Sequence, residues 1–145
     1  MKHPHRRPAI YITEADRSIL FRIITSRQPA GQDVKALVDL KEELDRAVVV
    51  RAEEVPPAVV TLGSRVRLRE IESGVVGEYT LVLPGRADFR EGRVSVLAPV
   101  GTALLGQREG DVVEWVVPAG RKRFCIEAVL YQPEAAGAEG LLATV

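Results

Sequence analysis

The hydrophobic period of this chain changes once, near Val49, and that change decides what it can become. Before it, apolar residues recur every three or four positions, the spacing of one helix face. After it they alternate, as in strands with one buried side. At the switch, "VVVRAEEVPPAVVTLGS" joins β-branched residues to Pro56-Pro57, a pair that no helix interior accepts. The pattern predicts an α+β chain in which a helical unit leads into a β domain.

In "TEADRSILFRIITSR", Ile19 shares a face with Ile23, and Leu20 with Ile24. Thr13, three residues before Asp16, reads as an N-cap whose hydroxyl accepts a first-turn amide. In "SRQPAGQD", Pro29 disfavours helix at Gln28 and Gly31 supplies turn freedom. A second helix is expected from an N-cap at Asp33 to about Val48, with Leu37, Leu40, Leu44 and Ala47 spaced as a seam. The two stripes and the short connection predict a short antiparallel coiled-coil hairpin with Gln28, Pro29, Gln32 and Asp33 at its tip. Arms of about 14 residues project about 21 Å. Helices this short are marginal alone, so the hairpin base is expected to lean on the following domain.

Beyond the switch, "SRVRLREI", "EYTLVLP" and "RVSVLAP" alternate, which would set Val66, Leu68, Leu81, Leu83, Val94 and Val96 on one side. Gly74 and Gly77 are read as the first turn. Asp111 to Val117 and Phe124 to Tyr131 supply two further strands, joined through "PAGRK". Between them, Pro99 opens a short helix with Val100, Ala103 and Leu104 on one face, and Gly106 closes it. The expected β domain is an antiparallel sheet with one short helix plugging its open face. The expected organisation is a flexible arm over 1–10, the hairpin over 11–52, the β domain over 53–133 and a tail over 134–145.

A chain of 145 residues, 46% hydrophobic, suits one domain with an appendage. Twenty basic side chains balance twenty acidic ones, so no global field draws it to nucleic acid or to an anionic membrane. With one cysteine, Cys125, it has no intrachain disulfide and no cysteine-only zinc site. "MKHPHRRPAI" lacks the apolar run of a secretory signal, and nothing is long enough to span a bilayer. The reading is a cytoplasmic monomer.

Catalytic groups are sparse. His3 and His5 both lie in the N-terminal arm, where two ligands make a poor metal site. Cys125 falls in a β pattern, either on the side of Glu127 and Val129 or packed as a small hydrophobe at a barrel edge, and reads as a structural thiol. Glu42, Glu43, Asp45, Glu53 and Glu54 are the densest carboxylates, but Glu42 and Glu43 are successive on a helix and point apart, as on a solvated face. "GSRVRLRE" and "GQREGD" match neither a phosphate loop nor a dinucleotide fingerprint. Arg65, Arg67 and Arg69 form a basic row with no aromatic between them, which favours salt pairs or a protein contact over nucleic acid. No catalytic residue, cofactor or metal is expected.

Five stretches carry a family resemblance: "DLKEELDRA" (Asp39 to Ala47), "VVTLGSRVRLR" (Val59 to Arg69), "YTLVLPGRADF" (Tyr79 to Phe89), "SVLAPVGTALLGQREGDVVEW" (Ser95 to Trp115) and "LYQPEAAG" (Leu130 to Gly137). Together they resemble the Gre transcript-cleavage-factor superfamily, in its branch called regulator of nucleoside diphosphate kinase. The resemblance implies a coiled-coil hairpin on an FKBP-like domain that docks on RNA polymerase at the rim of its secondary channel. The docking loop would be Leu97, Ala98, Pro99 and Val100. Gre factors commonly have an acidic-Ser-Pro sequence there, whereas Leu97-Ala98-Pro99 matches the regulator branch.

Gre factors also carry tip carboxylates that place a second Mg²⁺, and here Asp33 is the tip's only one. The expectation is a non-enzymatic regulator that competes with cleavage factors and meets nucleic acid only through the polymerase. Two alternatives stay open. One is a peptidyl-prolyl isomerase built on Tyr79, Phe89, Trp115, Phe124 and Tyr131; the other is a weak cleavage factor dependent on Asp33.

Overall fold

The computed structural model describes residues 9–26, 33–117 and 120–137; side chains of 33–36 and 115–117 fall outside that description. A two-residue strand, β1 (Tyr11–Ile12), leads into α1 (Glu14–Ser26). The second helix, α2 (Asp33–Arg46), runs into β2 (Val48–Val49), which pairs in parallel with β1. Thr13 caps α1 as the sequence implies, its Oγ1 accepting the Asp16 N–H at 3.2 Å. The predicted stripes meet: α1 packs on α2, with Leu20, Leu37, Leu40 and Leu44 buried and Ile19, Ile23, Ile24 and Ala47 half-buried against them. Gln28, Pro29 and Gln32 lie outside the described residues; Asp33 begins α2.

The β domain is a five-stranded sheet. Its strands are β3 (Arg65–Glu70), β4 (Val76–Val82), β5 (Arg93–Ser95), β6 (Val112–Val117) and β7 (Gly120–Tyr131), in the order β5-β4-β3-β7-β6. The expectation of a wholly antiparallel sheet is corrected at one edge, where β4 and β5 run parallel. The chain between them is not a hairpin turn. It passes through two 3-10 turns, Pro84–Arg86 and Phe89–Glu91, and so re-enters the sheet in the direction it left.

Val66, Leu68, Leu81, Val94 and Val96 are buried as the alternation predicts, with Leu83 packed beside them. Gly77 sits within β4 opposite Leu68, so the first turn falls at Gly74 alone. The ring of Tyr79 lies over Gly77 where a Cβ would stand.

A second correction concerns β7. Its register against β3 shifts between Arg65 and Val66 and again between Arg67 and Leu68. Each bulge inserts a residue and reverses the facing of the residues beyond it. Ile126 therefore opposes Leu68 while Val129 opposes Val66, both inward, so Cys125 and Val129 face opposite sides.

The short helix forms as α3 (Pro99–Leu104) and lies between β6 and α2. Its buried residues are Gly101, Thr102 and Leu104, with Val100 and Ala103 only half-buried. The predicted face is thus rotated, because the closest neighbour of α3 is the backbone of Ser95 and Val96. One continuous apolar core runs from Leu20, Leu40 and Leu44 through Ile10, Ile12 and Val60 to Leu68, Leu81, Leu104 and Ile126. The helical base thus leans on the β domain, as its short length requires.

The last element, α4 (Pro133–Ala136), folds back on the chain that links the two units. Gln132 donates its Nε2 protons to the carbonyls of Pro56 (2.8 Å) and Val59 (2.7 Å). The Thr61 hydroxyl donates to buried Glu134 Oε1 at 2.7 Å. No described helix is long and apolar enough to cross a membrane.

Candidate docking surface

Leu97, Ala98, Pro99 and Val100 link the end of β5 to the start of α3. The Val96 N–H joins the Val82 carbonyl at 2.9 Å and so extends the sheet edge. Ser95 then turns the chain twice: its Oγ accepts the Leu97 N–H at 3.0 Å and its carbonyl accepts the Ala98 N–H at 3.0 Å. Ala98 has extended backbone and no side-chain cap, and Pro99 follows at the first helical position, where a missing N–H costs nothing.

The turn is clamped from within. The buried Thr102 hydroxyl donates back to the Val96 carbonyl at 2.8 Å. A Cβ on Gly101 would stand 1.9 Å from the Ser95 carbonyl oxygen, so α3 rests directly on the strand backbone. Leu97 and Val100 are half-buried on the core, while Pro99 is exposed at the crest with Ala98 beside it. The four predicted residues therefore form one rigid, apolar, uncharged crest.

Ser95, Gly101 and Thr102 do not stand out in the sequence as site residues, yet they give the crest its shape. A glycine inside a six-residue helix was the available signal, since glycine weakens a helix unless something must come close.

The remaining candidates disperse. Lys41 pairs Asp45 at 2.9 Å, Arg46 pairs Glu43 at 3.2 Å, and Arg51 faces Glu53 and Glu54 at 3.3 and 3.7 Å. Among the described residues no three His, Cys, Asp or Glu gather as a metal site. Arg69 of the basic row pairs Glu127 at 2.9 Å. Tyr79 and Phe89 stack with centroids 6.1 Å apart and line a hollow of about 410 Å³. That hollow is open and shared with Glu78, Arg90 and Glu91, and Phe89 is 71% exposed. Phe124 packs instead on the core and Tyr131 is exposed at the far end of β7, so neither joins the aromatic pair.

Paired helices seated on a curled β sheet are a fold this chain shares with transcription elongation factors of the GreA/GreB class. Residues 55–131 match the family model "Transcription elongation factor, GreA/GreB, C-term", and residues 8–50 match "Rnk N-terminus". The chain is 40% identical over 132 residues to the regulator of nucleoside diphosphate kinase of Escherichia coli K12, covering 90% of this chain and 96% of that one. Transcription elongation factor GreA of Clostridium botulinum is 39% identical over 88 residues, 61% of this chain and 55% of that one. Among solved structures, the "Prokaryotic transcription elongation factor GreA/GreB from Nitrosomonas europaea" has a TM-score of 0.74 at 40% identity, covering 86% of this chain and all of that one. The chain belongs to the GreA/GreB family, in its regulator of nucleoside diphosphate kinase branch. It is thereby related to regulators of transcription.

Proposed function

We propose that this chain is a non-enzymatic regulator that binds RNA polymerase. The β domain docks at the rim of the secondary channel through Leu97, Ala98, Pro99 and Val100. The helical pair, an antiparallel coiled coil, enters partway and excludes longer channel factors by occupancy. The clamped crest carries this reading: an exposed proline flanked by half-buried apolar groups, held by Ser95 and Thr102, offers a partner a surface that is already ordered. Ordering it in advance removes part of the entropy cost of association.

The helices bear on the mechanism by their length. At 13 and 14 residues they reach about 20 Å, and the carboxylates of the described part of α2 are engaged with Lys41 and Arg46 or dispersed along its face. Two-metal hydrolysis needs oxygen ligands brought together at the ion, which favours blocking over cleavage. The decisive assay presents core polymerase from the same organism, stalled in a backtracked complex, with a cleavage factor and increasing amounts of this protein. Cleavage should fall as the protein saturates the polymerase and should recover with Pro99→Asp. Undiminished cleavage at saturation, with no co-elution on gel filtration, rejects the proposal. Cleavage stimulated by the protein alone and lost in Asp33→Ala would establish a cleavage factor instead.

A further inference from the structure

We propose that Ile10 and Gly106 form a positioning joint that fixes the helical pair to the docking element; the functional part of this inference rests on the docking reading above. Ile10 is 2% exposed and immediately precedes β1. Its Cγ2 sits where a Cβ of Gly106 would stand, 1.8 Å from the ideal position, so the isoleucine branch rests on bare backbone. Gly106 has φ +82°, a conformation that glycine alone adopts readily, and it follows the last turn of α3.

Backbone bonds join this contact to both units. On the β side, the Gly106 N–H donates to the Val60 carbonyl at 2.9 Å, and the Val60 N–H to the Gln107 carbonyl at 2.7 Å. On the helical side, the Ile10 carbonyl accepts the Val48 N–H at 2.8 Å and the Ile12 carbonyl accepts the Val50 N–H at 2.9 Å. The chain enters α1 and leaves α2 at these paired positions. A force on the helices therefore passes through Ile10 to Gly106 and, within one short helix, to Pro99 at the crest. Docking and channel occupancy are two contacts on one body, and the stiffness of what joins them sets the effective concentration of the second.

Ile10→Leu keeps the volume of the side chain but moves its branch off the β-carbon, so no methyl sits on Gly106. Ile10→Val retains that methyl and serves as the rescue. Spin labels on Val38→Cys and Val75→Cys, both exposed, in a Cys125→Ala background, read the distance between α2 and the sheet. Ile10→Leu should broaden that distance distribution and weaken blocking of the cleavage factor about tenfold while polymerase binding is unchanged; Ile10→Val should behave as the parent.

Gly106→Ala, which invades the joint from the other side, should reproduce the Leu result. An unbroadened distribution in both variants, or binding and blocking lost in parallel, overturns the joint. A parent chain that binds no polymerase removes the docking reading, and the label distances alone then decide the joint: broadening upholds it and constancy overturns it.

Discussion

Gly101→Ala is the sharpest test of how the crest is held. The added Cβ would lie 1.9 Å from the Ser95 carbonyl oxygen, 2.7 Å from its carbon and 3.0 Å from the Val96 Cα. All three are backbone atoms in the strand extension, so no side chain can swing away. Relief requires α3 to move by more than an ångström, which stretches the 2.8 Å bond from Thr102 Oγ1 to the Val96 carbonyl past hydrogen-bonding range.

Overpacking of this kind costs about 1–3 kcal/mol. The lost bond adds about 1 kcal/mol. Replacing a helical glycine returns about 1 kcal/mol of propensity. The net loss is about 1–3 kcal/mol, read as a lower urea midpoint at unchanged slope. Gly85→Ala is the control, since a Cβ there meets nothing within 4 Å, and it should change stability by less than about 0.5 kcal/mol. A Gly101→Ala variant as stable as its parent, with polymerase binding intact, would refute the argument that close backbone approach shapes the crest.

Other substitutions probe the remaining supports. Gln132→Ala strips the Val59 carbonyl of its side-chain donor and removes the cap on the Ala135 N–H, whereas the Pro56 carbonyl still accepts from Val59; thermal and urea unfolding should show a loss of about 2–4 kcal/mol. Leu40→Ala empties a fully buried site in the core that the helical pair shares with the β domain and should cost about 2–5 kcal/mol by the same measurements, with α1 and α2 losing protection from hydrogen exchange first. Glu72 accepts two guanidinium bonds from Arg123, at 3.0 and 2.7 Å, and these hold its carboxyl below the ordinary value of 4.5. A depressed carboxyl stabilises the fold above its unfolded value and ceases to as pH falls through the folded one. Carbon-detected NMR titration should therefore place the Glu72 midpoint below 4.5 and return it upward in Arg123→Ala, and an unmoved midpoint would count against the pair.

How much of the fold is legible in the sequence depends on which interactions are periodic. The seam of Leu37, Leu40 and Leu44 and the alternation of Val66 with Leu68 repeat at the period of their element, and each occupies the predicted side. The bulges in β7 are hidden because a bulge breaks the period without leaving a residue type of its own, so spacing alone assigns Cys125 and Val129 to one face. The parallel edge is hidden because its direction is set by the two 3-10 turns between Pro84 and Glu91, not by β5 itself. The crest residues are legible as a motif through family resemblance. Their clamp is not, because Ser95, Gly101 and Thr102 matter through distances to backbone that no spacing encodes. The joint at Ile10 is the least visible, since its partner, Gly106, lies far along the chain, beyond any local pattern.

These contacts explain why so small a chain places a compact helix directly after a sheet edge. Six residues are too few to hold a helix in water, so α3 exists only because its neighbours hold it. One end is seated on the Ser95 carbonyl through Gly101, and the other meets Ile10 through Gly106. A flexible loop in its place would satisfy the chain connection but would leave Pro99 unordered and the helical pair free to tilt. A longer helix would stand on its own propensity and carry no information from one seat to the other. The short helix is thus held only when strand and helical base are both in place, so the turn at Pro99 and the base of the helical pair share one set of backbone seats.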